Sequence, residues 1–465
     1  MTGLSDDGLA ASLEWSASSH QWLSSPNPAG PSTARAPSGH GVLDEALHAD
    51  TACERHARWH SRVSGPRHAH PSVFMFLILP FGAMSGYLIV TVAYLLSQSG
   101  ISVERIATLI AVSFIPHTWK FAWAPIADTT LTRKTWYVLG CLVSAAGIWA
   151  TGAMHADQAH LGLLTTVILI SNVAVTFLGM SVESLLAYGT LPEQKGRAGG
   201  WFQAGNLGGS GLGGGAGLWI AQHMAAPWMA GAALAAACLM CMIGLFFVPE
   251  PPAEHRVGSI GERLLNVVKD IWGVARARLG FLALVLCFLP IGSGAASQLW
   301  SAVAGDWHAS ANTVALVTGL VGGVVSAIGC LLGGFICDRM DRKVAYAVFG
   351  VMQALCAVLM AFAPHTESMY ISFTMLYALI TGLTYAGFTA FVLEAMGLGA
   401  AATKYSLFAS LSNTPIAYMT TVDGWAHGRW GASGMLLTEA AVGMLGLVVF
   451  IGVVFAARKS RLLTA

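Results

Sequence analysis

From Val73 onward, the chain is a series of long apolar segments joined by short polar links. Each segment is close to the ~20 residues that an α-helix needs to cross ~30 Å of hydrocarbon. The segments lie at 73–96, 106–127, 135–154, 162–188, 200–222, 227–248, 279–303, 312–336, 344–363, 369–395, 403–423 and 433–456. This pattern predicts an all-α polytopic membrane protein with twelve transmembrane helices.

Two regions interrupt the pattern and divide the chain into domains. Residues 1–70 are rich in Ser, Pro, Ala, Gly and His, show no helical or strand period, and are predicted to be a disordered cytoplasmic tail. They lack the basic start and apolar core of a signal peptide. A polar linker at 249–278 separates a first six-helix bundle, 71–248, from a second, 279–457, and a short tail follows at 458–465.

The linker contains one segment with helical spacing. Ser259 and Glu262 can form a capping box at a helix N-terminus. The apolar positions that follow share one face, namely Leu264, Val267, Val268, Ile271 and Trp272. A helix of this kind fits the cytoplasmic membrane interface, and packing is favoured over recognition of a partner as its role.

Composition narrows the class of protein. Hydrophobic residues make up 55% of the chain and charged residues only 10%, against about 25% in soluble globular proteins. These proportions exclude a soluble enzyme, and a formal net charge of +1 argues against binding to nucleic acid.

We expect no metal or other cofactor, and no direct use of ATP because a G-x-x-x-x-G-K-[ST] motif is missing. A labile metal site at Cys53, His56 and His60 is the weaker alternative to a solvated tail.

Basic residues are distributed unevenly over the links. Of the 24 Lys and Arg residues, 21 lie on one face: 20 lie before the first segment, in the even-to-odd links or after the last segment, and Lys404 lies at the start of the eleventh segment. Arg105 and Arg429 lie in the other links, and Lys120 lies within a segment. Because cytoplasmic links are enriched in Lys and Arg, both termini are predicted to be cytoplasmic. The high Ala and Gly content favours the inner (cytoplasmic) membrane of a bacterium.

The two bundles repeat each other at an offset of 210 residues. Residues 79–83 (LPFGA) in the first segment match residues 289–293 (LPIGS) in the seventh, and Asp128 matches Asp338. Two six-helix halves related by a parallel repeat are the architecture of the major facilitator superfamily, which the chain resembles.

The link after each matching aspartate is rich in charge. Residues 334–343 (GFICDRMDRK) resemble the G-x-x-x-D-R-x-x-R-K signature of that superfamily. A carboxylate at a helix end can pair with a nearby Arg and with the positive N-terminus of a facing helix, which closes one side of a transporter. The predicted gate consists of Asp128, Arg133, Asp338, Arg339 and Arg342. The alternative is that these residues only stop helices and set the topology.

Three stretches resemble one family within the superfamily. Residues 120–128 (KFAWAPIAD) are similar to the K-F-x-W-A-P-x-x-D motif of the peptide and acetyl-CoA transporter family, to which the AmpG-type muropeptide permeases belong. Residues 402–412 and 191–198 are similar to two further segments of that family. The resemblance implies proton-driven import of a bulky polar solute such as an anhydromuropeptide, acetyl-CoA or a ferric siderophore. Where the muropeptide permeases carry two acidic residues near the end of the fourth helix, this chain has only Glu183.

Charged side chains within the membrane are costly and are therefore functional candidates. Lys120 precedes Asp128 by eight residues, or about 12 Å of helix, and His117 lies on the same face. We predict that Lys120 attracts an anionic group of the solute and that His117 is a nearby donor or titrating group. The alternative is that Lys120 reaches the cytoplasmic headgroups. Pro116 and Pro125 flank the pair and are expected to interrupt the helix.

The remaining candidates lie in the fourth and fifth segments. Glu183 is the only carboxylate well inside the first six segments, and we predict that it takes up and releases the coupled proton. A hydrogen-bonded structural acid is the alternative. Gln203 and Asn206, in the glycine-rich fifth segment, are expected to bind solute through neutral hydrogen bonds.

Together these features predict a secondary transporter that works by alternating access. Its partners would be a small-molecule solute, protons and the lipid bilayer, and it would act as a monomer. An exporter of drugs or metabolites on the same fold and a non-transporting membrane sensor are the other interpretations. An enzyme is not expected, because the segments contain no nucleophile–base pair or metal cluster.

Overall fold

The structure is a computed structural model that describes most of the chain after the predicted tail. It covers residues 69–154, 157–190, 195–226, 228–250, eight positions between 261 and 276, 278–337, 339–396 and 407–462. Cys53, His56, His60 and Asp338 lie outside the described residues. Within these ranges, every regular element is helical.

Six helices form the first half. They are α1 (Val73–Gln98), α2 (Val103–Thr129), α3 (Arg133–Ala153), α4 (Leu161–Gly189), α5 (195–223) and α6 (Trp228–Phe247). A π-helical stretch lies in α1 at Tyr87–Val92, and another lies in α5 at Leu212–Ala216. At the start of α3, the Thr132 side chain accepts a hydrogen bond from the Thr135 N–H, which satisfies one of the free donors of the first turn.

The second half repeats this order with one interrupted helix. α7 begins as Arg278–Phe288, stops, and resumes in short turns at Ala295–Gln298, Trp300–Val303 and Ala304–Trp307. It is followed by α8 (Ala311–Cys337), α9 (Arg342–Ala361) and α10 (Glu367–Met396). The last two helices, α11 and α12, lie within Asn413–Leu462 and are separated at Gly431, whose φ of 68° is non-helical.

Eight helical stretches are long and apolar enough to cross a membrane, and one of them, Leu407–Phe455, contains both α11 and α12. The other three helices are α2, α5 and α7. α2 carries several charged side chains and α5 is rich in glycine, so both are less apolar than the eight stretches. α7 is interrupted, so its continuous helical part is shorter than a membrane-spanning helix. The described part of the chain therefore contains the twelve helices that the sequence predicts.

Two equivalent tyrosines show that the halves repeat each other in structure. Tyr137 on α3 and Tyr346 on α9 are 209 residues apart. The Tyr137 O–H donates to the Leu77 carbonyl of α1 at 3.0 Å, and the Tyr346 O–H donates to the Ile291 carbonyl in the α7 gap at 2.7 Å. Each half thus ties its third helix to its first helix through a buried hydroxyl.

The repeated Leu-Pro-x-Gly motif has a different backbone in each half. Residues 79–83 are helical, with Pro80 inside α1, whereas residues 289–293 fall in the gap of α7. In the gap, Gly292 and Gly294 have φ values of 56° and 68°, a region that glycine enters without steric cost. The residue of α1 that corresponds to Gly294 is Met84, and its side chain favours the continuous helix.

The glycines of α5 allow its backbone to touch α1. A Cβ atom added to Gly209 would lie 2.3 Å from the Leu79 carbonyl oxygen, and one added to Gly82 would lie 2.0 Å from the Asn206 carbonyl oxygen. Real Cβ atoms do not approach this closely, so a side chain at either position would force the helices apart. Small residues at these positions therefore permit the close packing of α5 on α1.

The two ends of the bundle differ in their contacts. We call the end where α2, α4, α8 and α10 finish the basic end, and the end where α1, α3 and α9 finish the opposite end. At the opposite end the halves touch, because the Ser97 hydroxyl of α1 donates to the Ala302 carbonyl of α7 at 2.6 Å. There α2 also packs against α11, since a Cβ atom on Gly424 would lie 2.2 Å from the Ala107 Cβ.

The predicted linker helix is described at only a few positions. Val268 and Trp272 have helical backbone and exposed side chains, and the Arg276 guanidinium lies 4.9 Å from the centre of the Trp272 ring. The other predicted apolar positions lie outside the described residues, namely Leu264, Val267 and Ile271. Its interfacial location stays a prediction, as do the domain boundaries.

Candidate functional site

A cavity of about 700 Å³ lies between the two halves of the chain. Its walls come from α1, α5, α7, α8 and α10, and its polar lining consists of Ser210, Ser297, Gln298, Thr318, Ser326, Thr374 and Thr381. Every lining residue is uncharged, so the cavity offers hydroxyl and amide groups to a polar solute.

Gln298 gives this cavity an unused acceptor. Its Nε2 atom donates to the Ser297 hydroxyl at 3.2 Å, while its buried Oε1 atom has no hydrogen-bond partner within the described part of the chain. A buried acceptor without a partner is costly. A hydroxyl or N–H group of a bound solute can satisfy it.

A second polar region lies between α2 and α4. Lys120 Nζ on α2 lies 3.3 Å from Glu183 Oε1 on α4. The Lys120 side chain is 15% exposed and the Glu183 side chain 44% exposed. The two residues that the sequence predicts as separate anion and proton sites therefore form one ion pair.

His117 lies in the same region, one turn before Lys120. Its Nε2 atom is 3.1 Å from Asn172 Oδ1, and the Asn172 Nδ2 atom donates to the Ile168 carbonyl at 2.9 Å, so the amide is held on both sides. The His117 ring also packs edge-on against Phe81 of α1, with ring centres 5.4 Å apart. The histidine is thus fixed in place by α4 and α1.

Phe81 relates this polar region to the cavity. Gly86, which lines the cavity, lies five residues after Phe81, or about 7.5 Å along α1. His117 contacts α1 on the side of Gly86 that faces the basic end.

The expectation that prolines interrupt α2 is wrong, because α2 is one helix from Val103 to Thr129 and includes Pro116 and Pro125.

The other predicted solute-binding residues do not reach the cavity. Gln203 is exposed and Asn206 is half-buried on α5, and neither lines the cavity between the halves. Asn206 does contribute to packing through its backbone carbonyl, which touches α1 at Gly82. Their binding of solute stays a prediction.

The predicted gate is described only in part. The side chain of Asp128 and the whole of Asp338 lie outside the described residues. The Arg133 guanidinium donates to the Ala127 carbonyl at 2.7 Å, and the Arg339 guanidinium lies 3.4 Å from the centre of the Phe335 ring. Arg342 begins α9. The gate itself stays a prediction.

A buried carboxyl group in α12 is a candidate functional group that is not among the residues predicted from the sequence. Glu439 is only 6% exposed, and its Oε1 atom accepts hydrogen bonds from the Tyr377 hydroxyl at 2.6 Å and from the Ala296 N–H at 3.2 Å. Asp423 of α11 is completely buried as well. The sequence does contain an indication of this group, because Glu439 is the only acidic residue in the apolar segment 433–456 and a charged residue within the membrane is a functional candidate.

The comparison with protein-family models decides the family. The model of the Major Facilitator Superfamily matches residues 74–420, which is most of the chain. The chain belongs to the Major Facilitator Superfamily. It is therefore a membrane transporter rather than an enzyme, and both the predicted fold class and the resemblance stated from the sequence are confirmed.

Among proteins of this superfamily, the anhydromuropeptide permeases of Escherichia coli strain K12 and of Escherichia coli O157:H7 are similar to the chain. Each is 24% identical over 352 residues, which cover 72% of this chain and 70% of the permease. This similarity agrees with the resemblance to muropeptide permeases that residues 120–128 indicate.

Solved structures of the superfamily share the fold. The nucleoside transporter NupG covers 82% of this chain at 13% identity with a TM-score of 0.63, and 98% of that protein is matched. A D-xylose-proton symporter covers 82% of this chain at 14% identity with a TM-score of 0.63, and 96% of it is matched. These similarities place the twelve helices in the fold of the superfamily.

Proposed function

We propose that this transporter imports a bulky polar or anionic solute of the muropeptide type together with protons. The observation that carries the proposal is the Lys120–Glu183 ion pair beside a cavity lined by hydroxyl and amide groups. Lys120 is the only Lys or Arg residue well inside a predicted segment, since Lys404 lies at the very start of the eleventh, so Lys120 is the natural partner for an anionic group of the solute.

The chemistry of a muropeptide matches the two polar regions. Its sugar part offers hydroxyl and amide groups, which suit the lining of the cavity between the halves. Its peptide part offers carboxylates, which suit Lys120 on the basic-end side of that cavity. The anhydromuropeptide permeases that resemble this chain support the same solute class.

Protonation of Glu183 would couple the two events. As long as Glu183 is ionised, it neutralises Lys120 at 3.3 Å. A proton on Glu183 removes that charge, and Lys120 is then free to bind a carboxylate of the solute. When the solute leaves, Lys120 attracts Glu183 again and the proton is released. His117, held by Asn172, would donate to the same solute group.

Alternating access would open and close the two ends in turn. The contacts between α1 and α7 and between α2 and α11 close the opposite end here. We propose that this end faces away from the cytoplasm, that both termini are cytoplasmic, and that the gate of Asp128, Arg133, Asp338, Arg339 and Arg342 closes the basic end. We propose a monomer, since each chain contains both halves and the cavity between them.

Uptake into proteoliposomes tests the function. Purified protein is reconstituted with an alkaline interior, and accumulation of labelled anhydromuropeptide, acetyl-CoA and a ferric siderophore is measured with and without a protonophore. We expect anhydromuropeptide to accumulate and the accumulation to collapse with the protonophore. In sealed, correctly oriented vesicles, accumulation of none of the three would contradict the proposal and favour an exporter or a sensor.

A further inference from the structure

The gap in α7 and the short turns that follow it together line three cavities. Gly292 and Ser293 line both a cavity of about 410 Å³ next to Tyr346 and one of about 220 Å³ next to Glu439. A few residues later, Ser297 and Gln298 line the larger cavity between the halves. A movement of this short segment therefore changes the walls of the solute cavity directly.

Side chains from other helices satisfy the backbone groups that the gap leaves free. The Tyr418 and Tyr346 hydroxyls donate to the Phe288 and Ile291 carbonyls at 2.9 Å and 2.7 Å. The Ala296 N–H donates to Glu439 Oε1 at 3.2 Å. Tyrosine hydroxyls stay neutral over the physiological pH range, whereas a carboxyl group can change its charge there when its surroundings disfavour ionisation.

The surroundings of Glu439 offer no compensating cation. Within the described part of the chain, its buried Oε2 atom has no hydrogen-bond partner. Both carboxyl oxygens of Asp423 are also buried and without a partner there. The titratable groups that act on Glu439 are Tyr377 of α10, Cys356 of α9 and Asp423 of α11, while α7 contributes backbone N–H groups. In the described residues, no Lys or Arg pairs with either carboxyl group.

Two interacting buried carboxylates without a cation are too costly to persist as a pair of charges. A proton on Glu439 removes this cost and gives Oε2 a hydroxyl to donate. The Ala296 N–H then faces a neutral acceptor instead of a charged one, and a hydrogen bond to a charged group is roughly twice as strong. The protonation state of Glu439 thus alters the contact that holds the restart of α7.

Two further contacts join Glu439 to the solute cavity. The Trp300 ring, which lines the cavity, packs edge-on against Tyr377 with ring centres 5.2 Å apart, and Tyr377 donates to Glu439. Gln353 shares the 220 Å³ cavity with Glu439 and donates from Nε2 to the Thr381 hydroxyl at 3.1 Å, and Thr381 lines the solute cavity.

We propose that Glu439 is a second proton-binding site of this transporter, in the C-terminal half, and that its protonation sets the conformation of the α7 gap at 289–294 and of the turn that follows it. The inference rests on the proposed proton coupling, and it adds a site that is separate from Lys120 and Glu183. The bound species is a proton, so the step is the neutralisation of the Glu439 carboxylate and its reversal.

Infrared difference spectroscopy of the full-length protein in lipid nanodiscs tests the site without any solute. Spectra at acidic and alkaline pH are subtracted for the wild type, Glu439→Gln, Asp423→Asn and the matched control Glu183→Gln. We expect a carboxylic-acid carbonyl band that titrates in the wild type and in Glu183→Gln but is lost in Glu439→Gln. A band unchanged in Glu439→Gln, or lost only in Asp423→Asn, would overturn the proposal.

Transport by the same variants tests the coupling. Gln at position 439 keeps an acceptor for Ala296 and Tyr377 and imitates the neutral acid, so the variant should fold. We expect it to retain counterflow of labelled anhydromuropeptide and to lose accumulation driven by the pH gradient. Undiminished accumulation would overturn the proposal. An absence of counterflow in the wild type would instead count against the proposed solute and would leave the infrared result to decide on Glu439.

Discussion

Lys120 of α2 and Glu183 of α4, which are 63 residues apart in the chain, lie 3.3 Å from each other in the structure. Their opposite charges reduce the cost of placing each one in the membrane. The pairing also means that neither residue acts alone, because a change in the charge of one alters what the other can bind.

Removal of the Lys120 charge should weaken solute binding. We expect Lys120→Ala to raise the KM for anhydromuropeptide at least roughly tenfold, since a hydrogen bond to a charged group contributes about 1.5–3 kcal/mol. Initial rates in proteoliposomes measure this change. Lys269→Ala, which removes an exposed lysine of the linker, is the matched control and should leave KM unchanged. An unaltered KM in Lys120→Ala would eliminate the anion site.

A double-mutant cycle measures whether Lys120 and Glu183 act as a pair. We expect Lys120→Ala and Glu183→Gln to be non-additive in their effects on KM, because each single change already breaks the ion pair. The cycle uses the KM values of the wild type, the two single variants and the double variant. Additive effects would show that the two side chains serve independent roles.

Close packing of α5 on α1 depends on particular glycines. Gly209→Ala would place a Cβ atom 2.3 Å from the Leu79 carbonyl, whereas Gly208 has no atom within 4 Å of its Cβ position. We expect Gly209→Ala to destabilise the protein by about 1–3 kcal/mol and Gly208→Ala to be neutral or slightly stabilising. Thermal unfolding in detergent compares these neighbours. Equal unfolding temperatures would contradict the helix contact.

The repeat predicts matched effects in the two halves. Tyr137→Phe and Tyr346→Phe each remove a buried hydroxyl that donates to a carbonyl of the first helix in its half, Leu77 or Ile291. We expect both to lower stability by about 1–3 kcal/mol. Tyr385→Phe is the control, because the Tyr385 side chain is exposed. A loss of stability in only one of the two variants would show that the hydroxyls are not equivalent.

The sequence indicated the fold because the apolar segments and the 210-residue repeat are local patterns. It did not show that the same Leu-Pro-x-Gly motif is helical in α1 and open in α7. That difference depends on Met84 standing where the second half has Gly294, and on two hydrogen bonds with distant helices. The Tyr346 hydroxyl donates to the Ile291 carbonyl, and Glu439 accepts from the Ala296 N–H.

The sequence predicts which residues belong to the site but not which residues they contact. Lys120, His117 and Glu183 stand out as charged or titratable residues within apolar segments, but their partners are set by the packing of α2 against α4. The sequence does not show which face of α5 packs on α1, because that segment has glycine on every side, so it does not place Gln203 relative to the cavity.

Proton movement caused by the solute tests the central claim most directly. Proteoliposomes that contain a pH-sensitive dye are prepared without any pH gradient, and anhydromuropeptide is added outside. We expect the interior to acidify as the solute enters, and to acidify less per solute in Glu183→Gln. Entry of labelled solute without acidification of the interior would contradict proton coupling.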